Sequence, residues 1–216
     1  MLDKAYMNKD FHLTEIKSKG KRIQIYDNIL PLNIFKQIQN QILSRTFPWC
    51  FHERNINPQL ESLNPIEGYD DDINTYQFNH YFFPEISTGE FSNSAGLISP
   101  ILNIFNSFGQ SLLHKANCGP REPKHLVGGW HYDVGLSKTE PFTDSITVIL
   151  YINTNNGYTL METGDKIESI ENRLILFPND LLHTGITQTD TKVRVLINFN
   201  FVLEKKEDKK LNWILY

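Results

Sequence analysis

The run from residue 145 to residue 202 restricts the fold of this chain most, because it is a succession of short β-branched segments cut by turn residues. Ser145 to Ile152 reads Ser-Ile-Thr-Val-Ile-Leu-Tyr-Ile, rich enough in branched and aromatic residues for a buried strand. Asn155-Asn156-Gly157 predicts a hairpin, since Asn-Gly accepts the positive φ angles of a type I′ turn. Thr163-Gly164-Asp165 predicts another turn. Leu174 to Phe177 is a short apolar strand stopped by Pro178, and Val193 to Val202 forms a long final strand. Many short strands between turns imply a sandwich or jelly roll.

Upstream of about residue 110 the pattern changes. Leu32 to Leu43 places Leu32, Phe35, Ile38, Ile42 and Leu43 at helical spacing, with Pro31 near the first helical position. A second helix is expected from Leu97 to Leu113, with Pro100 in its first turn and Gly109 weakening its later part. Trp49 to Asp72 reads as a long loop, where a lid carrying Trp49, His52, Arg54 and Asp70-Asp71-Asp72 could lie; an ordinary solvated loop is the plainer reading. The expected class is α+β, mainly β, in a single domain spanning 1–216. Within it, 1–110 is a helical and loop part, 111–203 the β core and 204–216 a charged tail.

The formal net charge of −4 argues against sequence-independent nucleic-acid binding, without excluding a local basic groove. Two cysteines, Cys50 and Cys118, in no Cys-x-x-Cys pairing fit a reducing cytosol. The first six residues carry charges where a secretory segment needs an apolar run, and the most apolar stretch, Val148 to Ile152, is too short to cross a bilayer. A soluble cytoplasmic protein with no membrane partner is expected.

Within this frame His131-Tyr132-Asp133 stands out, followed far downstream by His183 and then Arg194. Residues two apart in an extended chain face the same way, so His131 and Asp133 can reach one ion while Tyr132 points away. His183, at the start of another short strand, can come opposite in an antiparallel sheet. Two imidazoles and one carboxylate suit Fe(II) with three open positions, enough for a bidentate 2-oxo acid and O₂. Zinc would favour a closed site with more nitrogen or sulfur donors. The plain alternative is a surface His-Asp pair and an unrelated core histidine. His12, His52, His80, His114 and His125 have no partner at metal-ligand spacing and read as surface or satisfied core histidines. Trp130 and Tyr132 flank the first ligand and share the opposite face.

In Val193-Arg194-Val195-Leu196-Ile197-Asn198, alternation puts Arg194 on one face with Leu196 and Asn198. An inward arginine is costly unless a carboxylate meets it. The distal carboxylate of 2-oxoglutarate would bind its guanidinium through two parallel hydrogen bonds. The alternative is an arginine at a strand edge reaching to water.

Together these segments resemble the 2-oxoglutarate- and Fe(II)-dependent oxygenase superfamily, nearest to its prolyl-4-hydroxylase-like branch. Lys115-Ala116-Asn117 and Trp130-His131-Tyr132-Asp133 resemble the first core strands and the His-x-Asp motif. Thr147 to Asn153 resembles the following strand. Asn172-Arg173-Leu174-Ile175-Leu176-Phe177-Pro178 is similar to the approach to the distal histidine, with Asn172 where glycine is common. Leu182-His183-Thr184-Gly185 and Arg194 match the distal ligand and cofactor arginine. Tyr26 to Pro31 resembles the lead-in to the first helix, and Phe47-Pro48-Trp49 is found in similar phage-encoded members.

The resemblance implies a double-stranded β-helix of the jelly-roll or cupin kind, with N-terminal helices packed on it. It further implies iron held by His131, Asp133 and His183, and 2-oxoglutarate held by Arg194 with hydrogen bonds from Tyr151 and Asn117. The implied reaction consumes O₂ and 2-oxoglutarate, releases succinate and CO₂, and hydroxylates a C–H bond of a peptidyl or small-molecule substrate. Many relatives carry lysine where Arg194 stands, so a prolyl substrate does not follow. A virus-encoded origin would place the protein in a host cytoplasm. Two other readings remain at this stage: a nucleobase-modifying oxygenase, and a non-catalytic jelly-roll binding module.

Overall fold

The structure is a computed structural model that describes residues 2–52, 76–84, 90–106, 109–137 and 140–203. Its strands in chain order are β1 (His12–Ser18), β2 (Lys21–Asp27), β3 (Cys50–His52), β4 (Gln77–Phe83), β5 (Gln110–Pro120), β6 (Gly135–Ser137), β7 (Glu140–Pro141), β8 (Ser145–Tyr151), β9 (Tyr158–Met161), β10 (Lys166–Glu168), β11 (Leu174–Pro178), β12 (His183–Ile186) and β13 (Val193–Val202). Eight form one antiparallel sheet in the order β1-β2-β11-β8-β13-β5-β4-β3, and β10-β9-β12 form a smaller one. This is the expected jelly-roll arrangement.

The central strands of the large sheet, β8, β11 and β13, are buried on both faces, as their dense β-branched sequences require, while the edge strands β1 and β3 are largely exposed. On β8 and β13, Val148, Leu150, Val195, Ile197 and Phe199 point to one side. There they meet α1 (Leu32–Ile42) through Phe35, Ile38 and Ile42, and α2 (Ser99–Ile104) through Ile101 and Ile104. The alternate residues Ile149, Tyr151, Ile175, Phe177 and Leu196 point the other way, with Met161, Ile167 and Leu181. Period-two alternation therefore divides each central strand between a helix-side core and an inter-sheet core. Asn172 has φ +59° and clamps the start of α1 by accepting from the Leu30 N–H and donating to its carbonyl. Asparagine and glycine tolerate that left-handed backbone, which accounts for Asn172 at a glycine-rich position.

Three expectations are corrected. The second helix ends at Ile104 instead of reaching Leu113; Gly109 has φ +104°, and Leu112 and Leu113 belong to β5. Pairing on both edges, to β4 and β13, gives that segment more than a helix of its own could. Asn155-Asn156-Gly157 makes no type I′ hairpin, because β8 and β9 lie in different sheets and none of the three has a positive φ. The hairpin with that geometry joins β1 to β2 through Lys19 (φ +48°) and Gly20 (φ +76°). Finally, the stretch read as helices and loops supplies four strands of the large sheet. Arg54, Asp70-Asp71-Asp72 and the tail from 204 lie outside the described residues.

His114 on β5 is fully buried among the rings of Phe83, Phe91, Phe199 and Phe201, and neither ring nitrogen has a hydrogen-bond partner. Burial pushes its pKa down from 6.5 to about 4. The unfolded chain takes up this proton near pH 6.5 and the native state only near 4. The folded state therefore loses stability as pH falls through that window, by ~2 kcal/mol at pH 5. His114→Leu should remove this slope; equal wild-type and variant losses in urea unfolding at pH 7 and 5 would contradict it.

Candidate metal centre and an arginine cradle

The segment after β5 runs back along β12. Val127 bridges Ile186, Gly128 N–H donates to the Gly185 carbonyl, and His131 bridges His183. Gly128 lets the chains approach: a Cβ there would stand 3.0 Å from the Gly185 oxygen. His131 and His183 exchange both backbone hydrogen bonds, at 3.1 and 3.2 Å, so their side chains leave the same face. Their ring centroids are 4.5 Å apart. Asp133, two residues on, turns the same way, with Oδ1 at 3.5 Å from His131 Nε2 and 3.7 Å from His183 Nε2.

The three ligand atoms lie within 4.8 Å of one another, and no other such group of His, Cys, Asp or Glu occurs among the described residues. Donors ~2.1 Å from one ion at right angles stand ~3 Å apart, so small side-chain movements would close this set on a metal. His131 Nδ1 lies 2.9 Å from the Gly129 carbonyl, which accepts its proton and leaves the Nε2 lone pair free. Burial, then neighbouring His131, lowers the pKa of His183 to about 4, against the opposing pull of Asp133. At neutral pH His183 is uncharged, the form in which an imidazole can bind a metal. Burial works to raise the Asp133 pKa. In the acid range where the carboxyl would titrate, the hydrogen bond from His131, the charges that His183 and His131 then carry and the Asn200 amide outweigh it and hold the carboxyl well below the usual range. The residues thus fit a divalent ion with part of its coordination sphere open.

Arg194 rises from β13 on the same face as Leu196, as alternation requires, and is partly buried. Its Nε donates to Ser169 Oγ (2.9 Å) and its Nη2 to Thr159 Oγ1 (3.3 Å). Tyr151, fully buried on β8, donates to the same Thr159 oxygen (2.7 Å), and its ring lies 5.8 Å from the guanidinium carbon. Burial lowers the Arg194 pKa, partly offset by Tyr151. Among the described residues no carboxylate pairs with it. Gly157 makes room: a Cβ there would stand 2.9 Å from Arg194 Cδ and 2.8 Å from the Ile186 oxygen. The Asn-Gly pair taken for a hairpin signal is thus part of this cradle.

Asn117 lies on β5 directly opposite Leu196, whose other neighbour is Tyr151. One strand separates it from Tyr151, and its buried Oδ1 has no partner. The structure brings Tyr151 to Arg194 but leaves Asn117 outside that hydrogen-bond network. Trp130 is buried and Tyr132 is less so. His80 is satisfied by the Pro48 carbonyl and Ser92 Oγ, and Trp49 packs edge-on against Phe47. Asn200, Thr159 and Ser169 escaped the sequence reading, which placed Asn198 on the Arg194 face but gave it no role. Only the spacing of Asn200 from Arg194 along one strand face signalled that it would share that side.

No protein-family model matches the chain, and no curated protein matches it in sequence. No helix among the described residues is long and apolar enough to cross a membrane. In structure the chain is similar to a prolyl hydroxylase of Trichoplax adhaerens solved with a hypoxia-inducible-factor oxygen-degradation-domain peptide fragment. The TM-score is 0.55 at 14% identity, covering 83% of each chain. A prolyl-4-hydroxylase of Pseudomonas putida is similar at TM-score 0.52 and 10% identity, covering 84% of this chain and 92% of that one. The chain therefore has the jelly-roll fold that these prolyl hydroxylases share.

Proposed function

We propose that this protein is an Fe(II)- and 2-oxoglutarate-dependent dioxygenase that hydroxylates a C–H bond of a peptidyl or small-molecule substrate. The observation that carries the reading is the convergence of His131, Asp133 and His183, from two distant segments, to within 4.8 Å. An arginine with no carboxylate partner among the described residues, cradled by neutral hydroxyls, supports 2-oxoglutarate as the co-substrate.

Iron with 2-oxoglutarate and O₂ supplies the oxidising power for hydroxylation, with succinate and CO₂ as co-products. The chain's share is geometry. His131, Asp133 and His183 would hold the metal on one side and leave the other side open. Arg194 would take the distal carboxylate of 2-oxoglutarate through its Nη atoms, its Nε being committed to Ser169. Tyr151 and Thr159 would fix the guanidinium and exclude water around it. A role for Asn117 at the cofactor would require hydrogen bonds that bypass this cradle. The Trichoplax protein, solved with a peptide fragment, makes peptides the first substrates to try.

Anaerobic addition of Fe(II) and 2-oxoglutarate should produce a visible charge-transfer band, and succinate release should respond to some member of a panel of peptides, nucleic acids and metabolites. No band would reject the reading. Gly157→Ala perturbs the cradle from a position outside the metal cluster. The new Cβ would stand 2.8 Å from the Ile186 oxygen and from Asn155 Oδ1 and 2.9 Å from Arg194 Cδ, so the backbone there, Asn155 and Arg194 must all give. Affinity for 2-oxoglutarate should fall about 10-fold, or ~1.4 kcal/mol, while metal binding is retained.

A further inference from the structure

Behind Asp133 runs a continuous line of buried polar side chains whose hydrogen bonds have only one consistent direction. It begins at the backbone of Val134, next to Asp133. The Val134 N–H donates to Asn179 Oδ1 (3.3 Å), and Asn179 Nδ2 donates to the Val134 carbonyl (2.7 Å). A backbone N–H can only donate, so this pair fixes which way the Asn179 amide points. Thr147 then gives its single hydroxyl proton to Asn179 Oδ1 (3.3 Å) and must accept from its other neighbour, Asn200 Nδ2 (3.0 Å). Asn200 is thereby oriented with Nδ2 forward, and its remaining N–H reaches Asp133 Oδ2 (3.1 Å). Asn179, Thr147 and Asn200 are all fully buried.

The line ends on one oxygen of the carboxylate. Oδ2 is the atom bonded to Asn200, whereas Oδ1 faces the Nε2 atoms of His131 and His183. The Asn198 amide, 3.4 Å from both oxygens, discriminates between them much less. Asn179 also lies on the lead-in to His183, so the line ties together both segments that carry ligand residues.

We propose that Asn200, oriented through Thr147 and Asn179, is a positioning residue that restrains Asp133 to a one-oxygen ligand. It would thereby keep open a coordination position that a two-oxygen carboxylate would fill. The inference rests on the metal reading above. A carboxylate released at Oδ2 can swing both oxygens onto the ion and compete with an incoming chelating co-substrate.

The test uses Co(II) as a spectroscopic probe, without turnover, in wild type, Asn200→Leu and Thr147→Val. The second variant keeps the side-chain volume and removes only the relay, should the first fail to fold. Expected are a changed Co(II) visible spectrum before 2-oxoglutarate is added and a 10- to 100-fold weaker affinity of the Co(II) protein for 2-oxoglutarate, larger in Asn200→Leu. Variants that melt earlier but keep the wild-type spectrum and co-substrate affinity would reduce the line to a structural role and overturn the inference alone. Wild type that binds Co(II) but not 2-oxoglutarate would overturn the co-substrate reading, and the spectral comparison would still decide the role of Asn200. Wild type that binds no Co(II) would overturn both.

Discussion

Asp133→Ala is expected to weaken Fe(II) or Co(II) binding by at least about 100-fold and to abolish succinate formation. The substitution removes the only anionic ligand atom of the three, leaving two neutral imidazoles to hold a dication. It also strands the Asn198 and Asn200 amides, whose N–H groups point at the vacated carboxylate and would now face the ion with the wrong polarity. The loss should therefore exceed that in His131→Ala, which leaves the charge and its donors in place. Metal titration by calorimetry and a succinate assay check both. Turnover equal to wild type in either variant would end the metal assignment, and tight Co(II) binding by Asp133→Ala would refute the argued order.

The parts of the fold legible in the sequence are those where pattern and packing agree. Leu32–Ile42 is helical because one face buries Phe35, Ile38 and Ile42. Ser145–Tyr151 and Val193–Val202 are strands because both of their faces are covered. Misreadings fall where local signals and tertiary pairing diverge. Leu112 and Leu113 fit a helical period, yet β4 and β13 flank the segment and claim it as a strand. Asn156-Gly157 carries a hairpin signature, yet the glycine serves to let Arg194 pass.

The β1–β2 hairpin was legible in principle, from the alternation of Ile23 and Ile25 with polar residues and from Gly20. Its exposed edge lacks the apolar density that marks the central strands. In the candidate site, His131, Asp133 and His183 were readable because a metal needs chemically distinctive ligands. Asn179, Asn198 and Asn200 were not. An asparagine becomes informative only when the direction of each of its hydrogen bonds is known, and that depends on neighbours contributed by other strands.

The second large effect is expected at Arg194. Arg194→Leu should leave metal affinity within about 3-fold of wild type and weaken 2-oxoglutarate by roughly 10- to 150-fold, or ~1.5–3 kcal/mol. The two readouts separate because Arg194 hydrogen-bonds to Ser169 and Thr159 and to none of the three metal-cluster residues. Leucine supplies bulk but no donor, so a bound carboxylate would face the Thr159 and Ser169 oxygens and an apolar side chain. Arg194→Lys should recover part of the loss, since an ammonium restores the charge but not the planar pair of donors. Isothermal titration of the Co(II)-loaded variants with 2-oxoglutarate, at two salt concentrations, checks the order wild type, lysine, leucine. If all three bind equally, the arginine serves the fold and the co-substrate must be sought elsewhere. If leucine loses metal as well, the cradle and the metal cluster are mechanically coupled and not independent.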